Sequence, residues 1–205
     1  MGPEKIYQIL RDKIIWLELA PESILNLSEL ANEYNVSRTP VKEALIHLQA
    51  DGWISGFGSR FMVTPLSLER FREITEIRIF LEVEANVLAM KRLLPEELRG
   101  LEEIEEESHK FDNTMSNKQV GEADYEFHGI LYDATKNKNL SQLLHRLLSH
   151  YIRFWLSLQA IVEPSKYYVD VEKIIQAVKR KDEEKLREAT LSHVTWAADK
   201  IMEYF

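Results

Sequence analysis

The chain has 205 residues, 45% of them hydrophobic, no cysteine, and a formal net charge of −8. That length and apolar content suffice for one or two buried cores, while the missing thiols exclude disulfide scaffolds and thiolate metal sites and fit a reducing compartment. The acidic balance argues against a protein that coats nucleic acid indiscriminately, and no apolar run is long enough to span a bilayer or to serve as a signal-peptide core, so a cytoplasmic protein is expected.

In chain order, Ile6, Ile9, Leu10, Ile14 and Leu17 fall at helical spacing and predict a first helix over Glu4–Glu18, ended by Ala20-Pro21-Glu22. Leu27 to Tyr34 reads as a short amphipathic helix. Asn35-Val36 makes a tight turn, and a second short helix begins at Arg38, with Ser37 placed to cap it through its hydroxyl and Pro40 tolerated in its first turn. On that helix Val41, Ala44, Leu45 and Leu48 form one apolar stripe, while Thr39, Lys42 and Ile46 lie opposite and Arg38 stands at the exposed first turn. Two short helices joined by a few residues are a helix-turn-helix. Asp51-Gly52 stops the second one. Trp53-Ile54-Ser55 and Phe61-Met62-Val63 are β-prone runs separated by Gly56–Arg60, which reads as a glycine-bearing hairpin, or wing.

An exposed helical face of Arg, Thr and Lys offers what a major groove accepts: cationic donors for guanine and phosphate, and a methyl and hydroxyl for thymine or phosphate. The first 66 residues carry six Lys and Arg against eight Asp and Glu. Binding must therefore depend on where a few cations sit rather than on the domain's total charge. The run LSELANEYNVSRTPVKEALIHLQADGWI resembles the signature of the N-terminal domain of GntR-family bacterial transcription regulators over nearly thirty positions. Where that family commonly has arginine this chain has Lys42, which replaces a bidentate fork by a flexible point charge. Ser28 also stands where a basic residue is frequent, and a glycine common near Arg60 is missing.

Thr64-Pro65-Leu66-Ser67 reads as a linker, since proline forces its predecessor extended and Ser67 can cap the next helix. From there only helices are predicted: Leu68–Arg92, Glu96–Phe111, Lys118–Thr135, Leu140–Ile161, Val169–Lys179 and Glu183–Phe205, with Pro95 and Pro164 between them. The fold expected is mainly α. A winged helix-turn-helix of three helices plus a β-hairpin (residues 1–66) precedes an all-α antiparallel helical bundle (residues 67–205).

Three features of the bundle bear on chemistry. Asp124 and His128 are four apart and share a helix face, so they can chelate one divalent cation or simply hydrogen-bond to each other. Arg78 in an apolar helix calls for either Glu82 or an anionic ligand as partner, and Arg153 is a further candidate. Tyr151, Phe154, Trp155, Tyr167, Tyr168 and Trp196 read mainly as core.

This half resembles the FCD effector domain of the FadR branch of GntR regulators through Glu76-x-Arg78 with Glu82, Asp124-x3-His128, Asn137, and the run ending at His193. The resemblance implies a divalent metal (zinc, nickel or manganese) held by Asp124, His128 and His193, with the branch's remaining histidine replaced by Val171. Neighbouring Asp170 and Glu172 point about 100° away and are poor substitutes. It also implies a small organic-acid effector met by Arg78, Arg153 and Asn137.

The function expected is sequence-specific transcription regulation, not enzymatic catalysis, by a homodimer on a palindromic operator of double-stranded DNA. Ser37, Arg38, Thr39, Lys42 and Arg60 would touch the DNA, and an effector in the bundle would modulate binding. The alternatives are an architectural DNA-binding protein without ligand and a metal-dependent hydrolase. The hydrolase would use Asp124, His128 and His193, but it lacks a convincing base, nucleophile or phosphate loop.

Overall fold

The computed structural model describes residues 1–57, 60–110, 114–158 and 164–204, without the side chains of 57 and 164–167. The hairpin turn at Gly58 and Ser59, the Tyr167 ring, and the expected helix ends at Phe111, Ile161 and Phe205 therefore lie outside the described residues. The chain forms two compact units, Met1–Ser67 and Leu68–Phe205.

The first unit contains α1 (Pro3–Ile15), β1 (Ile24–Leu25), α2 (Leu27–Glu33), α3 (Arg38–Ala50), β2 (Ile54–Phe57) and β3 (Arg60–Val63). Helix α1 stops three residues earlier than its apolar spacing suggests, because Leu17 adopts a left-handed conformation (φ 57°) and turns the chain back. Asn26 caps α2 by accepting from the amides of Ser28 and Glu29. Asn35 takes the left-handed conformation (φ 50°) in the turn before α3, which asparagine tolerates. Ser37 occupies the cap position of α3, but its side chain makes no capping bond, so the expected hydroxyl cap is not used. At the other end Gly52 (φ 77°) supplies the left-handed residue that stops α3.

The hairpin is tighter than expected. Gly56 lies inside β2 opposite Phe61, and Phe57 pairs with Arg60. A third strand, β1, pairs antiparallel with β3 (Ile24 opposite Met62, Leu25 opposite Phe61), giving the order β1-β3-β2. Two residues are too few to show a period, which is why β1 was not legible in the sequence. Ile6, Leu10, Ile14, Val41, Leu45, Leu48 and Trp53 fill the core between α1, α3 and the sheet.

The second unit is a helical bundle: α4 (Leu68–Arg92), α5 (Pro95–Ser108), α6 (Asn117–Ala134), α7 (Lys138–Ser157), α8 (Pro164–Arg180) and α9 (Glu183–Met202). Pro95 and Pro164 open α5 and α8 rather than standing between helices, since a first-turn residue needs no amide donor. Helices α6 and α7 run antiparallel, as Ser141 Oγ donates to Asp133 Oδ1 (2.6 Å) near the turn and Ser149 Oγ donates to the Tyr125 hydroxyl (3.4 Å) farther along. Ion pairs Lys91–Glu183 (2.9 Å) and Arg187–Glu84 (2.6 Å) place α9 antiparallel to α4.

Helix α4 packs against α6, α7 and α9. Its position explains an inside-out feature: Arg78, Glu82 and Asn86, at i, i+4 and i+8, are buried together with Phe71, Ile74 and Ala85. Among the described residues no helix is long and apolar enough to cross a membrane.

Candidate functional site

Helix α3 divides as its sequence predicts. Val41, Ala44, Leu45 and Leu48 are buried, while Ser37, Arg38, Thr39, Lys42 and Ile46 are exposed. Arg60 is exposed at the start of β3. Two other cations of this unit are engaged, Lys13 with Glu33 (2.9 Å) and Arg11 with Asp12 (2.9 Å). No carboxylate among the described residues forms a salt bridge with Arg38, Lys42 or Arg60. Their donors face solvent, so this face can present positive charge to an anion although the unit's net charge is negative.

In the bundle, α6 and α9 bring three ligand-type side chains to one point. Nε2 of His128 lies 3.3 Å from Oδ1 of Asp124, Nε2 of His193 lies 3.5 Å from the same oxygen, and the two Nε2 atoms are 3.2 Å apart. All three residues are buried. A tetrahedral zinc with ligands at about 2.0–2.1 Å has edges of about 3.3 Å, so this triangle has the dimensions of one face of such a polyhedron. The residues present therefore fit a divalent cation. Burial works against the charge on Asp124, yet first His128 and then His193 outweigh it and hold the carboxyl well below its ordinary pKa.

The position expected of a fourth protein ligand is Val171, buried on α8. Asp170 does not replace it: its carboxylate accepts from Lys173 Nζ (2.9 Å) and Ser192 Oγ (3.5 Å). A metal here would have three protein ligands and room for an exchangeable one.

Behind the triangle lies a buried ion pair. Nε of Arg78 donates to Glu82 Oε1, and Oε2 of Glu82 faces Nδ1 of His128 at 3.5 Å. The Arg78 guanidinium stacks over the Tyr151 ring, 4.1 Å from its centroid. Burial opposes the charge on Glu82, but Arg78 and then His128 prevail and lower its pKa. Beside it the Tyr132 hydroxyl is pushed well up, by burial first and then by Glu82.

The expected effector-binding residues do not converge. Arg78 takes Glu82, the internal partner of the two considered, at i, i+4 on one buried helix face, while its Nη1 has no hydrogen-bond partner among the described residues. Asn137 is exposed, and its carboxamide caps α7 by accepting from the Leu140 amide (3.3 Å). Arg153 is buried two residues beyond Tyr151, about 200° round α7 from it. Burial, and next the neighbouring Arg70, push its pKa down to about 10.

The buried Asn86, whose Nδ2 donates to Thr190 Oγ1 on α9 (3.0 Å), escaped sequence reasoning. The signal that could have found it is the polar stripe Arg78, Glu82, Asn86 inside an otherwise apolar helix.

Residues 3–59 match the bacterial regulatory proteins of the gntR family, and residues 73–195 match the FCD domain. The chain belongs to the GntR family of transcriptional regulators. It is a GntR regulator with an FCD domain, whose matched segment covers more than half of the sequence. YdhC of Bacillus subtilis (strain 168), an HTH-type transcriptional regulator, is 29% identical over 193 residues, covering 92% of this chain and 86% of the relative. LutR of the same organism is 27% identical over 214 residues, covering 92% and 95%. The solved structure of E. coli McbR/YncC has the same fold, with a TM-score of 0.86 at 22% identity over 98% of this chain and 97% of that one. YdhC, LutR and McbR are each named as HTH-type transcriptional regulators. GntR regulators bind DNA as dimers, so DNA is the partner that family membership supports here.

Proposed function

We propose that this GntR regulator acts in the cytoplasm as a homodimer that reads a palindromic operator through α3 and the wing, and that a small organic acid bound at the FCD domain modulates the binding. Arg38, Thr39 and Lys42 would reach base edges and nearby phosphates, with Ser37 and Arg60 contributing backbone contacts. The observation that carries this part is the exposed α3 face, whose cations stand clear of the described carboxylates.

On the sensing side, a zinc, nickel or manganese ion would be held by Asp124, His128 and His193, and it would offer a carboxylate the position that Val171 leaves open. The ion supplies a fixed positive charge. The protein supplies three preset ligands in a site closed to bulk water. Arg153 keeps a role in this reading: an anion close by would relieve the cost of its buried charge beside Arg70. The acid controls operator binding only as far as it prefers one arrangement of the dimer over another.

The test combines three measurements on the full chain. Selection from a randomised duplex pool should yield a twofold-symmetric site. Elemental analysis after dialysis against each metal should give one cation per chain. Thermal unfolding with and without metal, across a panel of small carboxylic acids, should reveal stabilisation of about 2.7 kcal/mol for an acid at 100 times its dissociation constant. A pool that yields no sequence refutes the DNA reading. The absence of any shift with metal and acids would leave a DNA-binding protein with an inert bundle.

A further inference from the structure

We infer that the Arg78–Glu82 pair is a built-in support for the metal centre, with Glu82 fixing His128 so that Nε2 faces Asp124 and His193. The inference rests on reading those three residues as a divalent-metal site.

Four observations lead there. Glu82 approaches His128 at Nδ1, the ring nitrogen opposite the one that faces the triangle. An ionised carboxylate can only accept, and neither Glu82 Oε2 nor His128 Nδ1 has a hydrogen-bond partner among the described residues, so a proton held at Nδ1 with a metal at Nε2 would satisfy both buried atoms. The ring is also pinned, with Phe127 at 5.1 Å and Tyr132 at 5.4 Å between centroids, so holding its Nδ1 edge fixes the whole imidazole. Glu82 has no solvent exposure and could not stand there ionised without a counter-charge, which Arg78 provides from one helical turn away on α4. Arg78 is itself held from a second side by the Tyr151 ring, so the support is rigid from α7 through α4 to α6.

A site with three protein ligands depends more on such outer contacts than a site with four, and losing them from a metal-ligating histidine typically costs 10- to 100-fold in metal affinity.

The experiment compares the full-length wild type with the double variant Arg78→Met/Glu82→Leu, which removes both charges at similar volume, and with Glu82→Gln. Each is stripped with EDTA, checked for native helical content by circular dichroism, and titrated with zinc against a competing chelator and with cobalt(II) followed by its visible absorption. Wild type should bind one cation per chain, and the folded double variant should bind about 10- to 100-fold more weakly with an altered cobalt band. A folded double variant within threefold of wild type, with an unchanged cobalt spectrum, overturns the inference and leaves the metal site standing. If the double variant does not fold, Glu82→Gln is judged by the same criterion. A wild type that binds neither cation overturns the metal-site reading, and this inference with it.

Discussion

Arg78 lies over the Tyr151 ring, its guanidinium carbon 4.1 Å from the ring centroid, in a bundle where both residues are buried. Tyr151 in turn stacks on Phe71 with centroids 5.3 Å apart, so a charged group is set into an aromatic wall. Such a group is stable only while every neighbour stays in place.

Removing Arg78 alone should therefore be far worse than removing its pair. Arg78→Met strands the Glu82 carboxylate without solvent and should destabilise the bundle by about 3–5 kcal/mol. The double change Arg78→Met/Glu82→Leu should restore most of that loss, because two well-packed apolar side chains often equal a buried ion pair. Urea unfolding of the metal-free protein, followed by bundle tryptophan fluorescence, measures the difference. Equal losses for the single and double variants would contradict it.

The Asn86–Thr190 contact makes a similar case without formal charge. Its 3.0 Å hydrogen bond joins α4 to α9, and both residues are fully buried. Thr190→Val keeps the shape but leaves the Asn86 amide without this acceptor, which should cost about 1–3 kcal/mol. A change below about 0.5 kcal/mol in the same unfolding assay would show that the bond does not contribute.

On the DNA face the expected effects fall on binding rather than on stability, because Arg38 and Lys42 are exposed. Arg38→Ala should abolish preference for the selected operator, a loss of about 1–3 kcal/mol in discrimination, with unfolding unchanged. Lys42→Ala should weaken binding to all sequences alike and lower the salt slope by about 1 if its ammonium meets a phosphate. Fluorescence anisotropy on operator and scrambled duplexes at several salt concentrations separates the two roles.

Tyr7 ties α1 to the end of α3, its hydroxyl donating to Asp51 at 2.6 Å. Burial, followed by the hydrogen bond and charge of Asp51, raises its pKa from 10.0 to about 12. A folded-state pKa above the unfolded one means the neutral form is favoured on folding. The contribution is thus complete below pH 10 and lost as pH rises towards 12. Tyr7→Phe should destabilise the first unit by about 1 kcal/mol at neutral pH, and the gap to wild type should close above about pH 12. Hydrogen exchange of α1 and α3 amides reads the neutral-pH cost, and fluorescence-detected unfolding from about pH 9 to about pH 12 reads its loss.

Local periodicity made much of this protein legible in advance. The four apolar positions of α3, the two β-prone runs and the long bundle helices each declare themselves within a few turns of chain, and so does the pairing of Asp124 with His128 across one helical turn. What the amino-acid order could not say by itself is which polar groups meet inside. His193 reaches His128 across 65 residues, and Asn86 reaches Thr190 across 104. The strand Ile24–Leu25 exists only because β3 offers it an edge. That Arg78 pairs with Glu82 and that Asn137 caps α7 are likewise contacts that the folded bundle decides. A helix or turn is decided by neighbours in sequence, through backbone sterics and a short apolar repeat. The partner of a buried charge is decided by whichever side chains the closed bundle brings within hydrogen-bond reach, where no water remains to satisfy it.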